Sequence, residues 1–475
     1  CVIPDVSYLV KNHSRLRGMF ITHGHEDHIG AIPYVLKQIN TPIYCTRFTA
    51  GLIKLKLQEH GLLNSTKLIT VEAGQTVKAG KFQVEFLHVN HSIADSAAFA
   101  IHTRMGTIVH TGDFKIDSTP IDGEVIDLAR FGELGKQGVL ALLADSTNVE
   151  RPGYTLSEKA VGATFIRQFT GCTKRIIVTT FASNVHRIQQ VLDAAAACGR
   201  KVAVTGRSME NIMKVSTELG YMKVPKNPLM DINRIKGLPL NQQVIVTTGS
   251  QGEEMSALYR MAFSTHKQVE IGAGDKVIIS ASGMCDAGRI RHHLKYNLWR
   301  GDSAVVFVGF QSPGTLGRHL LDGAPSVKLF GEDIAVRAKI VNFQGLSSHA
   351  DHDHLVDWIK HFDPAKTTHV FIVHGDREVA PVFAETVSKL GFAAHAPQYT
   401  EEYDLIADKK LAVGYLPERK TRAYEGAPKA TPAYQKLVQM GDMLIGLIRR
   451  SRGRDNKTLA AFAEAISKII SKFEF

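Results

Sequence analysis

A short segment near the start of the chain carries four side chains that commonly bind metal ions. His23, His25, Asp27 and His28 follow the spacing H-x-H-x-D-H. Neutral imidazoles and carboxylates are ligands for zinc and, less firmly, for manganese. His23 and His25 can face one cation, while Asp27 and His28 in the following turn can reach a neighbouring one. The segment therefore predicts a metal centre, with solvated or core histidines as the alternative.

Two cations need more ligands than one loop supplies, and later segments provide candidates. His91 and Asp113 each follow a strand-like apolar run. An aspartate with two oxygens can bridge metal ions ~3.5–4 Å apart. A single histidine is more often a partly buried polar group, so the interpretation of His91 as a ligand depends on the loop motif. We expect His110 to be structural or to support a ligand.

Three further candidates lie farther along the chain. Asp145 opens the sequence Asp-Ser-Thr-Asn, which by itself could form only a turn or a helix cap. His349 follows Ser347 and Ser348 just before a predicted helix, where hydroxyls and backbone amides favour an anion. His374 ends a very apolar strand. These residues are candidates for function, with a purely structural role as the alternative.

The elements that must position these residues alternate between strand-like and helical patterns. Strand-like runs that end at or shortly before a candidate His or Asp lie at 18–22, 84–88, 107–112, 138–144, 338–343 and 370–373. Helical spacing of apolar residues occurs at 29–39, 48–60, 157–169, 185–198, 208–219, 355–362 and 379–390. The alternation predicts an α/β fold. Since sites assemble at the carboxyl edge of such sheets, the candidates are expected to share one site.

A second α/β region is expected to interrupt the first. Further strand patterns lie between Asp145 and His349, at 175–180, 201–205, 243–248, 276–281 and 303–309. We therefore predict four parts: a first part of the main domain at 1–152, the insertion at 153–337, the returning part at 338–415, and a linker with a basic helical tail at 416–475.

The composition describes a globular protein with a basic surface. Of 475 residues, 44% are hydrophobic and 22% charged, and no apolar run approaches the ~18 residues of a membrane helix. Five scattered cysteines without a C-x-x-C pair predict a reducing cytoplasm. The net charge of +11 favours a polyanionic partner, with a merely basic protein as the alternative. A first residue other than Met suggests a fragment or a processed chain.

The order of these motifs resembles the metallo-β-lactamase superfamily, and more narrowly its β-CASP nucleases. Residues 1–282 resemble the ribonuclease J family, through the segments 21–28, 91–95, 109–114, 145–148, 180–184, 206–209 and 248–252. The remainder resembles the polyadenylation-endonuclease-like branch, through 282–288, 309–317 and 343–349. The resemblance implies an αββα sandwich, truncated at its N-terminal strands, with an inserted α/β β-CASP domain.

The resemblance also implies roles for the candidate residues. It implies two zinc ions per chain, one held by His23, His25 and His91 and the other by Asp27, His28 and His374, with Asp113 bridging. Asp145 would orient His349, which would contact the scissile phosphate or protonate the leaving oxygen. Asp27, Asp145 and His349 are thus the implied catalytic residues.

The function implied is that of a zinc-dependent ribonuclease in RNA processing or decay. Metal-activated water would hydrolyse RNA phosphodiester bonds, by endonuclease action, 5′–3′ exonuclease action or both. The His-x-Ser-Gly-His segment that ribonuclease J uses near the 5′ phosphate is absent, so endonuclease action is expected at least as strongly. We expect RNA as the partner and no membrane contact, and we allow for a homodimer.

Candidate RNA-binding residues are polar or basic groups near the predicted groove, each with an alternative as a solvated surface group or helix cap: Ser183, Asn184, Arg187, Arg207, Ser347 and Ser348. Three other functions compete with the ribonuclease interpretation. A small-molecule lactamase or thioesterase would share the zinc loop, and a DNA-repair nuclease would share the insertion. A non-catalytic RNA-binding subunit is the alternative that is not an enzyme.

Overall fold

The structure is a computed structural model. It describes residues 3–154, 157–225, 229–248, 256–262, 265–271, 275–280, 290–301, 304–307, 315–342, 349–415, 440, 444, 447, 451 and 456–472. The chain divides into two compact units, residues 1–415 and 416–475.

The described part of the first unit alternates strands with helices, as the apolar patterns predict. Its strands are β1 (Met19–Ile21), β2 (Ile43–Cys45), β3 (Leu68–Thr70), β4 (Thr76–Ala79), β5 (Phe82–His88), β6 (Ala97–Thr103), β7 (Gly106–His110), β8 (Ala141–Asp145), β9 (Arg175–Thr180), β10 (Lys201–Thr205), β11 (Gln243–Thr247), β12 (Asp275–Ser280), β13 (Ala304–Phe307), β14 (Ser326–Leu329), β15 (Glu332–Ala335), β16 (Lys339–Asn342), β17 (His369–Val373), β18 (Ala394–His395), β19 (Glu402–Asp404) and β20 (Lys409–Ala412). Its helices are α1 (Ser7–Lys11), α2 (Glu26–Ile29), α3 (Ile32–Leu36), α4 (Arg47–Glu59), α5 (Leu128–Gln137), α6 (Lys159–Phe169), α7 (Val185–Ala197), α8 (Arg207–Glu218), α9 (Ile232–Ile235), α10 (Ala257–Ala262), α11 (Ile290–Asn297), α12 (Leu316–Leu321), α13 (His352–Ile359) and α14 (Val379–Lys389).

Two sheets pack face to face in the main domain. A seven-stranded sheet has the order β18-β17-β8-β7-β6-β5-β4, and a parallel three-stranded sheet has the order β1-β2-β3. Aromatic residues fill the space between them: Phe20 stacks on Tyr44 at 4.7 Å between ring centroids, and Phe86 meets Phe99 edge to face at 4.9 Å. Such pairs add stability beyond the burial of their area.

Helices cover the outer faces of both sheets. On the seven-stranded sheet, α5, α13 and α14 bury Phe131, Trp358 and Phe383. On the three-stranded sheet, α3 and α4 bury Ile32 and Phe48. The result is four layers, helix–sheet–sheet–helix, so the predicted αββα sandwich is confirmed.

The insertion forms a second layered structure around a parallel sheet of order β10-β11-β9-β12. The strand patterns predicted for this region lie within a few residues of β9 to β13. The centres of β9 and β11 are fully buried, as expected for parallel strands covered on both faces. Helices α6, α7 and α8 pack on one face and α10 packs on the other. The predicted inserted α/β domain is therefore present.

Two details differ from the sequence-based expectation. The helix predicted over 29–39 is shorter in the structure, where it corresponds to α3, because Pro33 lies in the first turn of α3 and favours a helix start there. Strand β16, which lies within the predicted returning part at 338–415, pairs in parallel with β13 of the insertion. A local apolar pattern predicts a strand but not its partner, so the proposed domain boundaries stay a prediction.

The second unit is described mainly through α15 (Asn456–Lys472). Its half-buried residues Leu459, Phe462 and Ile466 recur at helical spacing. The linker predicted at 416–433 and the arginines of the basic cluster at 449–454 lie outside the described residues. Among the residues described in both units, no helix combines the length and apolarity needed to cross a bilayer.

Candidate metal centre

Strand ends bring the predicted ligands to one edge of the sandwich. Strands β5, β7, β8 and β17 run in the same direction, because β5 and β7 are each antiparallel to β6 and the others pair in parallel. Their carboxyl ends therefore meet at one edge. The register places Val373 beside Asp145, so the next residue, His374, lies next to the end of β8. Sequence alone predicts the edge, and the register supplies the contacts.

Three imidazoles form a first ligand group. The Nε2 atoms of His23 and His91 lie 3.1 Å and 3.0 Å from Nδ1 of His25. Zinc–nitrogen bonds of ~2.0–2.1 Å in a tetrahedron require nitrogens ~3.3 Å apart. The three nitrogens therefore have about the spacing that one zinc ion needs.

A second group adjoins the first. It consists of Asp27, His28, Asp113 and His374, which offer ligand atoms within 4.8 Å of one another. Oδ2 of Asp113 lies 3.3 Å from His28 Nε2 and 3.7 Å from His23 Nε2. Because this oxygen is near both groups, Asp113 is placed to bridge two cations.

The residues of the two groups fit divalent metal ions. Nε2 of His28 is buried and makes no hydrogen bond among the described residues. Burial lowers the pKa of His23 well below its usual value and lowers the pKa of His25 to about 4. Both imidazoles are therefore neutral at physiological pH, which is the form that binds metal. For Asp27, the hydrogen bond with His374 lowers the pKa, so its carboxylate is ionised.

Hydroxyl groups hold the remaining ring nitrogens of three ligands. Thr22 Oγ1 lies 3.1 Å from His23 Nδ1, Ser92 Oγ lies 3.2 Å from His25 Nε2, and Thr147 Oγ1 lies 2.9 Å from His374 Nδ1. Such partners fix the orientation and tautomer of a metal-binding histidine. The sequence motifs did not predict a role for these three residues. Thr22 and Ser92 could have been predicted, since each is adjacent in sequence to a candidate ligand.

Asp145 and His349 form a pair beside the metal ligands. Oδ2 of Asp145 lies 2.8 Å from His349 Nδ1, and Nε2 of His349 lies 3.9 Å from Asp113 Oδ2. The amide of Ala350 donates to the carbonyl of Phe114 at 2.7 Å, which fixes the backbone of the His349 segment beside Asp113. The second ring nitrogen of His349 therefore lies on the side of the ring nearest Asp113.

Each member of the Asp145–His349 pair shifts the pKa of the other towards its charged form. Burial alone would raise the pKa of Asp145, but His349 and His374 lower it below its ordinary value. Burial alone would lower the pKa of His349, but the carboxylates of Asp145 and Asp113 raise it overall. An ionised Asp145 therefore favours a protonated His349, which is the form that a general acid needs.

The candidate RNA-binding residues are placed differently from one another. The side chain of Asn184 accepts from the amide of Arg187 at 3.0 Å, so Asn184 caps α7, while Ser183 is half-buried in the preceding turn. Arg207 is exposed at the start of α8. Ser347 and Ser348 lie outside the described residues.

A surface phosphate contact does not fit Arg187. Only 3% of this residue is exposed, and burial lowers the pKa of its guanidinium to about 10. Helical spacing does not reveal a charged residue that points inward, so the prediction for Arg187 is corrected to a buried position near Glu158.

The sandwich, its ligand loop and the inserted parallel sheet define a metallo-β-lactamase fold with a β-CASP insertion. Three family models match in this order: "Beta-lactamase superfamily domain" over residues 4–129, "Ribonuclease J, beta-CASP domain" over 173–287, and "Zn-dependent metallo-hydrolase RNA specificity domain" over 333–397. The predicted resemblance to β-CASP metallo-β-lactamases is confirmed. The predicted change of branch after residue 282 stays a prediction.

Curated relatives carry the name Ribonuclease J. The chain is 49% identical over 283 residues to the Synechocystis protein, 45% over 288 residues to the Thermus thermophilus protein, and 40% over 306 residues to Ribonuclease J2 of Bacillus subtilis. These alignments cover 59%, 59% and 64% of this chain and 44%, 50% and 55% of the relatives. The chain thus spans about half the length of the relatives that it matches.

A solved structure shares the fold alone. It is a protein of unknown function from Enterococcus faecalis V583, with a TM-score of 0.51 and 15% identity. The match covers 81% of this chain and 80% of that chain.

Proposed function

We propose that the chain is a zinc-dependent ribonuclease that hydrolyses RNA phosphodiester bonds. The observation that carries this proposal is the juxtaposition of two ligand groups, joined at Asp113, with the Asp145–His349 pair. Similarity to proteins named Ribonuclease J and the match to an RNA specificity domain support RNA as the substrate.

The proposal assigns two zinc ions to the two groups. His23, His25 and His91 would hold one ion, Asp27, His28 and His374 the other, and Asp113 would lie between them. When bound, such ions would supply an activated water and neutralise charge on a scissile phosphate.

The residues of the chain contribute orientation and a proton. Asp145 holds Nδ1 of His349, and Nε2 of the same ring lies 3.9 Å from Oδ2 of Asp113. From there, protonated His349 would donate to the departing 3′ oxygen, a step that contributes typically 10²–10⁴-fold to the rate. Asn184 and Ser183 lie in a turn directly after exposed Phe181, on which a nucleobase can stack.

The test separates metal binding from catalysis. We expect Asp27→Ala to lose both metal content and cleavage of labelled single-stranded RNA. His349→Ala should keep its metal content and lose about 10²–10⁴-fold in kcat. His319→Ala, at an exposed position of α12, is the matched control and should cleave like wild type.

The competing functions predict other outcomes. A lactamase-type hydrolase would turn over a chromogenic lactam and leave RNA intact, and a repair nuclease would prefer DNA. A non-catalytic subunit would bind RNA without cleaving it, at any metal content. Any of these results would contradict the ribonuclease proposal.

The mode of cleavage is a finer part of the proposal. We include both endonuclease and 5′–3′ exonuclease action. The His-x-Ser-Gly-His segment, which ribonuclease J uses near the 5′ phosphate, is absent from the sequence, so endonuclease action is expected at least as strongly. Product mapping on a 5′-monophosphate RNA and on its 5′-triphosphate counterpart tests this. Internal products from both substrates indicate endonuclease action, while mononucleotides released only from the monophosphate RNA indicate exonuclease action.

The proposed cellular location is the cytoplasm, and the argument for it comes from the cysteines. The described cysteines Cys45, Cys172 and Cys198 are free thiols, which supports a reducing cytoplasm. A homodimer stays a prediction, and light scattering of the purified protein at several concentrations tests it.

A further inference from the structure

Asp95 connects three parts of the first unit. It follows His91 in the segment between β5 and β6, and its backbone is left-handed with φ of 62°. Its carbonyl accepts from Thr46 Oγ1 at 2.6 Å, and its Oδ2 accepts from the amide of Phe48 at 3.0 Å. The same Oδ2 accepts from the phenol of Tyr221 at 2.7 Å. Left-handed backbone is uncommon outside glycine, so these bonds hold Asp95 in a costly conformation.

Residues 91–95, called here the His91 segment, also support the first ligand group. The segment begins with His91 itself, and its Ser92 Oγ lies 3.2 Å from Nε2 of His25. The amide of Ala97 donates to the carbonyl of Thr22, next to His23, at 2.9 Å. A shift of this segment would therefore move one ligand and the supports of two others.

Helix α4, whose first turn Asp95 holds, packs against the ligand loop as well. A methyl group added at Gly24 would lie 2.7 Å from Leu52 Cδ1 and 3.4 Å from Ile93 Cδ1. Gly24, between His23 and His25, thus touches both α4 and the His91 segment. Asp95 connects α4 to the His91 segment through its hydrogen bonds with Thr46 and Phe48.

Tyr221 brings the inserted domain to this point. It follows α8, and its ring meets Phe48 at 5.1 Å with an interplanar angle of 61°. Helix α8 packs closely on α4, since a methyl group at Gly51 would lie 2.7 Å from Val215 Cγ1. Burial and the Asp95 carboxylate raise the pKa of Tyr221, so the phenol stays protonated and donates.

We propose that Tyr221 is a positioning residue of the metal centre, which holds the His91 segment in place through its hydrogen bond to Asp95. Tyr221 thereby acts on the candidate ligands His91 and His25 without itself touching a metal ion or the substrate. The inference deepens the proposed function, because it links the domain that would carry RNA to the site that would cleave it.

The experiment measures the zinc affinities of metal-free wild type and Tyr221→Phe by competition with a chromophoric chelator. In Tyr221→Phe the ring against Phe48 remains and only the hydroxyl is lost. We expect zinc binding to weaken by about 10-fold or more, the lower end of the range for partners of metal ligands. On single-stranded RNA, kcat should fall by a similar factor while KM stays within about 2-fold of wild type.

Tyr154→Phe is the matched control. Its phenol also donates to an aspartate, Asp357, at 2.7 Å, but at an exposed position on another side of the domain. Zinc affinity and kcat of this variant should stay within about 2-fold of wild type. A wild-type zinc affinity in Tyr221→Phe, with a raised KM for RNA, would show that Tyr221 only shapes the RNA groove and would overturn the proposal.

A second variant covers the case in which Tyr221→Phe does not fold. Asp95→Gly removes this bond together with the acceptor of the Phe48 amide, whereas glycine suits the left-handed backbone, so circular dichroism should show a folded protein with a lowered melting temperature. It should lose zinc affinity at least as strongly as Tyr221→Phe, and the double variant should lose no more than Asp95→Gly alone. Additive losses would mean that the two residues act independently, which also overturns the proposal.

The zinc measurement keeps this inference separate from the proposed function. If the wild type binds zinc but leaves RNA intact, the ribonuclease proposal fails, and the comparison of zinc affinities still decides the role of Tyr221. If the wild type cleaves RNA and all variants bind zinc equally, only the positioning role fails.

Discussion

The charge of Asp145 sets the pH range in which His349 can donate a proton. His349 is buried, which lowers its pKa, but Asp145 raises it above its ordinary value. In Asp145→Asn the raising charge is gone, so the pKa of His349 should fall. A general acid is active below its pKa and inactive above it. We therefore expect the alkaline limb of the kcat–pH profile to move to lower pH in Asp145→Asn.

Asp357→Asn is the control for this profile. Asp357 accepts from the phenol of Tyr154 at an exposed position, so its substitution should leave both pH limbs unchanged. An alkaline limb that stays in place in Asp145→Asn would remove His349 from the role of general acid.

The ligands of the two groups also differ in protonation. Hydrogen bonds with Asp145 and Asp27 raise the pKa of His374 to about 10, whereas burial lowers the pKa of His25 to about 4. Near neutral pH a cation in the second group must displace a proton from His374, and one in the first group displaces none from His25. The zinc affinity of the second group should therefore rise about tenfold per pH unit between pH 6 and 8. Calorimetry in two buffers of different ionisation enthalpy should detect about one proton released when zinc binds to the second group. The absence of proton release would contradict the prediction.

Residue types and spacing predicted the members of the two groups that the structure brings together, because each follows the end of a recognisable strand or loop. The same reasoning could not find Tyr221, which is 126 residues from its partner Asp95 and carries no local signal. It also placed Arg187 on the surface, because the spacing of α7 does not distinguish a solvated arginine from a buried one. Local pattern thus predicts the edge of the sheet, and long-range packing decides which side chains support it.

At the scale of elements, helix α4 constrains the ligand loop through the absence of a side chain at Gly24. An added methyl group would press on Leu52 Cδ1 at 2.7 Å. We expect Gly24→Ala to lower the free energy of unfolding by about 1–3 kcal/mol, the usual cost of overpacking, and to weaken zinc binding. Denaturant unfolding and chelator competition measure the two effects.

Gly132 offers the matched control within α5. A methyl group there meets nothing within 4 Å, so Gly132→Ala should stabilise the helix by roughly 0.5–1 kcal/mol and leave zinc binding unchanged. Equal zinc affinities in the two variants would mean that α4 does not constrain the loop.

The predicted strands and helices followed from apolar periodicity because they bury one side or both, whereas mostly exposed elements such as β15 and β20 were not predicted. The partners of the strands did not follow from it, since β16 joins β13 of the insertion although the sequence continues directly into the main domain. Pairing depends on which edge is free after the rest of the chain has folded, and no window of sequence contains that information.

For the whole molecule, the net charge of +11 predicts that RNA binding weakens as salt increases. Arg207 is exposed at the start of α8, directly after the carboxyl end of β10 in the inserted sheet. If it contacts a backbone phosphate, Arg207→Gln should weaken binding at low salt and reduce the slope of log K against log salt by about 0.7. Binding of a fluorescent single-stranded RNA between 50 and 200 mM salt, concentrations of the order used in such titrations, measures both quantities.

Arg104→Gln distinguishes a groove contact from the effect of total charge. Arg104 is exposed in the turn between β6 and β7, and β7 runs from that turn towards Asp113, so Arg104 lies at the opposite edge of the sheet from the metal centre. Both substitutions remove one positive charge, but only Arg207→Gln should change the salt slope. Equal slopes for the two variants would show that the charge acts through the whole surface, and that the path of RNA does not pass the start of α8.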